Sequence, residues 1–378
     1  MIITLVLVFF WLPPYLEKSR NRTLPSQYTE ISSKAGQLHD SLFIADLHSD
    51  SLLWNRNLAK KSAYGHVDIP RLIEGNVALQ VFSVVTKAPK NLNLISNTDD
   101  TDNITLLAIA QLWPVRSWFN LFERANYQAS KLALIANNPK NNFHLINNQQ
   151  DFKDYLQLRN NNSNITAGIL SLEGAHALNG QLENVDRLYE LGFRIIGFTH
   201  FFDNKLGGSA HGTKQGGITK FGEQVLERMH ELKMFVDLSH ASPKLAEDII
   251  SLSKRPVLVT HTGIQAVCAS KSNRNLTDKQ IKQVAATGGL IGIGFWPTVT
   301  CNRSISGIVS SIRYIGNLVG FDYVGLGSDF DGNVSVPFTS SDIEQLTQAL
   351  IDAGLNNQQI RKVMGGNLQR IFEQYLPE

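Results

Sequence analysis

Eight short apolar runs, most of them separated by amphipathic helical stretches, constrain the fold of this chain more than any other feature. They cover residues 43–47, 78–85, 166–172, 194–199, 234–238, 257–260, 290–295 and 323–327, and most are rich in Val, Ile, Leu or Phe. Runs that are apolar on both faces suit parallel strands covered by helices. Eight of them predict an α/β fold, a (β/α)8 barrel of the TIM type, which takes roughly 250 residues plus insertions. The 378 residues therefore fit one barrel with enlarged loops, and neither an internal repeat nor a linker divides it.

The intervening helices announce their ends. Residues 221–232 read as helical; Ser242 caps Pro243–Leu252, Thr277 caps Asp278–Ala286, and a helix over 341–353 stops at Gly354. Caps of this kind work because a side-chain oxygen accepts a backbone N–H left free in the first turn. The stretch 87–122, with Asp99, Asp100, Asp102 and two tryptophans, reads as a long loop of the functional or flexible kind.

Charge and cysteine content narrow the partners. With 35 basic and 33 acidic residues the net charge is +2, which leaves no basic stripe for phosphates and excludes nucleic acid as a partner. A barrel of this size needs no bridge between its only cysteines, Cys268 and Cys301, so they leave the compartment open. Asn-x-Ser/Thr triplets, such as those at Asn21, Asn103, Asn164, Asn275, Asn302 and Asn333, are what an asparagine-rich chain generates by chance.

The apolar run 2–12 is closed by Pro13 and Pro14 and followed by Lys18, Arg20 and Arg22. It is shorter than the roughly 20 residues that span a bilayer. Its length suits the core of a signal peptide or a signal anchor, although neither a basic leader nor a small-residue cleavage site accompanies it. The expectation is an N-terminal hydrophobic segment and linker over 1–30, a single barrel domain over 31–378, and membrane association through the N-terminal segment, with the side of the membrane open.

Chemistry is concentrated where the strands end. Strand one runs into Asp46, His48 and Asp50, strand three into Glu173, strand four into His200, strand five into Asp237 and His240, strand six into His261, and strand eight into Asp329 and Asp331. In such barrels the C-terminal rim carries the active site. A lone histidine after a strand is usually structural; a set converging on one rim is a candidate metal site. The spacing of His48 and Asp50 places both on one side of an extended segment. His48, Asp50, Glu173, His240 and His261 combine imidazoles and carboxylates, a mixture that suits zinc better than calcium or magnesium. Five ligands exceed the needs of one open zinc, so two Zn2+ sharing a carboxylate are expected.

The segments DLHSDSL, LSLEGAHAL, GFTH, GGITKFGEQVLERMHELKMFVDLSHAS, PVLVTHTG, SNRNLTD, GLGSDFDG and VMGGN, in this order from about residue 38 onward, resemble the membrane (renal) dipeptidase family. The resemblance implies a zinc-dependent dipeptidase, with one ion on His48 and Asp50, the other on His240 and His261, and Glu173 between them. It further implies that His200 meets the substrate carbonyl, Arg274 its carboxylate, and Asp329 transfers the proton, and that the chain forms a homodimer as relatives often do. Elementary chemistry agrees: a hydroxide shared by two metals is available near neutral pH, a neighbouring Asp can relay its proton, and a guanidinium fork fits a free C-terminus.

Plainer readings stand beside these. Arg274 lies near Lys271 in a basic loop and could be a solvated charge, and its spacing from the preceding VCAS segment is longer than in the mammalian members. Asp331 is expected to cap or brace the turn at Gly332, His176 to be structural or to support the ligands from behind, and His211, whose flanking glycines suggest a mobile lid, to lie on the surface. The competing functions are another binuclear-zinc hydrolase of this barrel class (a deaminase, a lactonase or a β-lactam-opening enzyme) and a non-catalytic membrane-tethered barrel. Against the first, the strand-four rim carries Thr199-His200 rather than a lysine; against the second, the ligand set is intact.

Overall fold

The computed structural model describes residues 7–25, 28, 30–270 and 272–378. Its frame is a closed parallel barrel of strands β1 (Ile44–Ser49), β2 (Val77–Val85), β3 (Thr166–Glu173), β4 (Phe193–Gly197), β5 (Phe235–Asp237), β6 (Leu258–Thr262), β7 (Leu290–Ile293) and β8 (Val324–Leu326). Pairing runs β2-β1-β8-β7-β6-β5-β4-β3, and β3 returns to β2, Leu79 opposite Ala167, to close the ring. Each expected run becomes a strand, because a segment apolar on both faces can be buried on both only between a core and a helix layer.

Two apolar clusters follow from this arrangement. One joins alternate strand residues, among them Leu47, Val81, Ile169, Ile195 and Phe235, to Ile371 and Phe372 of the C-terminal helix Asn367–Tyr375. The other joins strand residues such as Phe82, Leu172 and Ile196 to the surrounding helices. Register shifts interrupt β1 between Asp46 and Ser49 and β6 between Val259 and Thr262. Such irregularities re-aim side chains next to active sites, and these two straddle His48 and His261.

The caps form as read: Leu245 N donates to Ser242 Oγ (3.0 Å), and Thr277 makes a reciprocal capping box with Gln280. The expected helix 341–353 divides instead into a single turn, Ser340–Asp342, and the helix Glu344–Asp352, with Gly354 in the left-handed region at φ 83°. The stretch 87–122 is not a bare loop either. It contains the helix Ile104–Ala110 and the turn Val115–Ser117, organised around buried Arg124, which donates to the carbonyls of Thr86 (2.6 Å) and Ser117 (2.9 Å) and to Asp102 (2.6 Å). A guanidinium has donors enough to order three separate chain segments at once.

The N-terminal stretch Leu12–Arg20 is helical and lies against the barrel. Glu17 is buried in an ion pair with Arg56, and Arg22–Thr23 pairs with Ser335–Val336, just beyond the loop that leaves β8. Among the described residues no helix is long and apolar enough to cross a membrane.

Candidate metal centre

All five expected ligands meet at the rim. The Oε1 atom of Glu173 lies 3.0 Å from His240 Nε2, 3.3 Å from His261 Nε2 and 3.8 Å from His48 Nε2. His48 Nε2 is in turn 3.4 Å from Asp50 Oδ1 and 3.9 Å from Asp329 Oδ1. Three overlapping groups could each hold a cation: His48 with Glu173 and His261, Glu173 with His200 and His240, and His48 with Asp50 and Asp329. Asp50 sits one residue past the end of β1, at φ −96° and ψ 23°, so the turn that follows the strand, rather than strand alternation, brings it beside His48.

Neighbouring residues fix the rings. Thr260 Oγ1 lies 3.2 Å from His48 Nδ1 and 3.0 Å from His261 Nδ1, and itself donates to Asp237 Oδ2 (2.7 Å). Asp46 accepts from Ser328 N (2.8 Å) and Gln80 Nε2 (2.8 Å), tying β1, β2 and the end of β8 together. Asp46 thus ties the strand ends around His48 together, and Asp237 holds the Thr260 hydroxyl that lies against both rings. Two site residues occupy the left-handed region, His240 at φ 62° and Asp329 at φ 60°. Residues with a Cβ rarely take that conformation, and they do so at sites where the surroundings dictate the backbone.

The electrostatics test whether a cation fits. Burial alone would suppress charge on His48, but the carboxylates of Glu173, Asp50 and Asp329 prevail and lift its pKa to about 10. Burial, reinforced by Asp50, raises Glu173 well above the usual carboxylate range, and burial raises Asp329 to about 8. Burial, followed by the positive charge of Arg274, pushes His240 far down; burial and the charge on His48 do the same to His261, so both stay neutral with lone pairs available. Their Nε2 atoms face each other across 3.0 Å. His48 Nε2, Asp50 Oδ1 and Glu173 Oε2 are buried without hydrogen-bond partners. Lone pairs and negative charge buried together in this way call for a cation, and the donor set fits zinc.

His200 follows β4, with Nε2 3.5 Å from Glu173 Oε2, and burial keeps it neutral. Arg274 is buried rather than solvated: its guanidinium stands 5.4 Å from the Trp296 ring centre, and its Nη2 is enclosed without an acceptor. An enclosed guanidinium with an unfilled donor invites an anion. The loop that bears it is tied down by a Cys268–Cys301 disulfide.

Asp331 braces its turn, as expected, accepting from Ser51 Oγ (2.6 Å) and His66 N (2.7 Å) and pairing with Arg56. His176 is buried beside Thr86 Oγ1, at 3.0 Å. His211 overturns the surface reading. It is fully buried, with Nδ1 2.9 Å from the Leu94 carbonyl and its ring 5.2 Å from that of His240. The residues around it, Gly208, Ser209, Ala210 and Gly212, are small, and a Cβ on Gly212 would collide with the Asp203 carboxylate packed against it. That run of small residues was the available signal.

Comparison with known proteins follows the same line. Residues 32–376 match the family model described as Membrane dipeptidase (Peptidase family M19). The chain is 27% identical over 350 residues to dipeptidase aclJ of Aspergillus oryzae, covering 87% of this chain and 77% of that one. Among solved structures it resembles the probable dipeptidase PvdM from Pseudomonas aeruginosa (TM-score 0.76, 18% identity, 91% of this chain and 98% of that chain). It also resembles a metallo peptidase from Rhodobacter sphaeroides liganded with a phosphinate mimic of the dipeptide L-Ala-D-Ala (TM-score 0.69, 24% identity, 88% and 99%).

Proposed function

Because the chain belongs to the membrane dipeptidase family and is a metal-dependent dipeptidase, we propose that it works with two zinc ions, one on His48 and Asp50, one on His240 and His261, with Glu173 shared. The observation that carries this is the placement of Glu173 Oε1 within 3.8 Å of all three imidazole Nε2 atoms. When bound, such a pair supplies Lewis acidity, activating water near neutral pH and polarising the scissile carbonyl.

The remaining roles belong to the chain's own side chains. Arg274 takes the free carboxylate of the dipeptide in a charge-assisted fork and so limits substrates to short ones. His200, neutral at working pH, donates from a ring nitrogen to the carbonyl oxygen as negative charge develops there. Asp329 holds the proton that leaves the attacking water and delivers it to the departing amine; its elevated pKa in the metal-free cluster suits a group that must carry a proton near neutrality. The dipeptide mimic bound to the Rhodobacter sphaeroides relative fits a site of this kind.

We place the catalytic domain at residues 31–378, preceded by the N-terminal segment, and propose that this segment associates with a membrane and that the chain pairs as a homodimer. The Cys268–Cys301 bridge favours a location outside the cytoplasm, because disulfides persist in oxidising compartments.

The test is dipeptide hydrolysis by the full chain before chelation, after it, and after zinc is restored, beside Glu173→Gln. Chelation should abolish cleavage, zinc should restore it, and the variant should show neither. Cleavage that survives complete metal removal would refute the proposal.

A further inference from the structure

Exposed apolar side chains are concentrated in one part of the surface. Of the thirteen large hydrophobic side chains exposed among the described residues, ten lie in two stretches, 10–15 and 92–119. These stretches meet in space: the helical segments Leu7–Trp11 and Leu12–Arg20 pack against the helix Ile104–Ala110. Phe10 and Trp11 are 69% and 61% exposed on one side of that contact, and Leu106, Val115 and Phe119 are 60%, 69% and 81% exposed on the other. Single exposed hydrophobics need no explanation, whereas a concentration of this kind marks an interaction surface.

The chemistry selects a bilayer as the occupant. Trp11 and Tyr15 stack with ring centres 5.3 Å apart, and large amphipathic rings of this type prefer the level of lipid headgroups. Exposed Lys18, Arg20 and Arg22 follow directly, as a basic flank for anionic lipid. The apolar run 2–12 leads into this surface. Its attitude is fixed to the barrel, since Glu17 is buried against Arg56 and Asn333 N donates to Asn21 Oδ1 (2.8 Å).

We infer that the stretch 104–119 is a second membrane-contacting element, lying in the interface of a phospholipid bilayer beside the N-terminal segment. This rests on the proposal that the N-terminal segment associates with membranes. A short apolar run gives weak, reversible attachment by itself, and stable anchoring takes two signals. The stretch leaves the barrel after β2, on the rim that carries the metal centre, so the membrane would hold the catalytic rim at a fixed orientation to its surface.

The experiment is co-sedimentation of the full chain with vesicles of phosphatidylcholine and phosphatidylglycerol in a three-to-one ratio. The triple variant Leu106→Asp, Val115→Asp, Phe119→Asp should weaken binding at least about tenfold while dipeptide hydrolysis in solution stays at the level of the unaltered chain. Phe10→Asp with Trp11→Asp should weaken it as well. Independently of these losses, the fluorescence that Val115→Trp adds to that of the unaltered chain should be quenched by brominated acyl chains. If only the Phe10 and Trp11 variant loses binding and Val115→Trp is not quenched, the second element is refuted and the N-terminal anchor stands. If the unaltered chain does not bind vesicles, both fall. If the triple variant converts a dimer to a monomer with vesicle binding intact, the face is an interface between copies and the inference is overturned.

Discussion

Asp329 and Asp331 are two residues apart, both buried, both in left-handed backbone at φ 60° and 63°, and they end in opposite electrostatic states. Burial should push both carboxyls up. For Asp329 it does, to about 8, against partial relief from His48 and Arg274. For Asp331 burial is outweighed by Arg56 and His66 and by donated hydrogen bonds, and the carboxyl stays below its usual range. The environment of Asp331 is complete: Arg56, Ser51 Oγ and the backbone of His66 occupy its oxygens. Around Asp329 the negative charge is shared with Asp50 and the neutralising partners are incomplete. A finished charge network locks a loop; an unfinished one is where a ligand and a proton can be handled.

The comparison can be broken in three places. Asp329→Asn should lower kcat by about 10²- to 10⁴-fold, the usual contribution of a positioned acid–base group, while zinc content stays that of the unaltered chain; loss of zinc instead would make Asp329 a structural ligand. Asp331→Asn should leave zinc ligation in place and destabilise the fold by about 3 kcal/mol, because it strips one partner from a buried ion pair. A denaturant titration measures this, and a change below about 0.5 kcal/mol would mean the network is not what locks the loop.

The third break is in pH dependence. A carboxyl raised to about 8 in the metal-free fold, against about 3.9 when unfolded, contributes stability that is present at low pH and lost as pH rises through about 8. Asp331, held low, contributes stability present above about pH 4 and lost as pH falls further. In the metal-free chain, Asp329→Asn should therefore gain on the unaltered protein as pH rises from about 4 to about 8, whereas Asp331→Asn should cost most at neutral pH and least in acid. Parallel pH profiles for the two variants would erase the distinction.

The barrel was legible because strand burial on both faces leaves a continuous apolar signature, and all eight strands register as such. The candidate ligands were legible because each lies in or just past a strand, on the end that the topology brings to the rim. What local pattern could not supply was anything set by contacts distant in sequence. Arg124 orders 87–122 from beyond its end, and His211 is drawn inward by packing between Leu94 and His240. Nothing local in the sequence marks Glu17, yet it is buried on Arg56, which also pairs with Asp331. Asp50 reached His48 through a turn that strand periodicity does not describe.

The central claim is that Glu173 joins two metal sites rather than completing one. Zinc per chain, measured by native mass spectrometry of the full chain beside Asp50→Ala, tests it most directly. The account predicts two zinc ions in the active protein and one in the variant, with activity lost. One zinc at full activity, unchanged by Asp50→Ala, would contradict it.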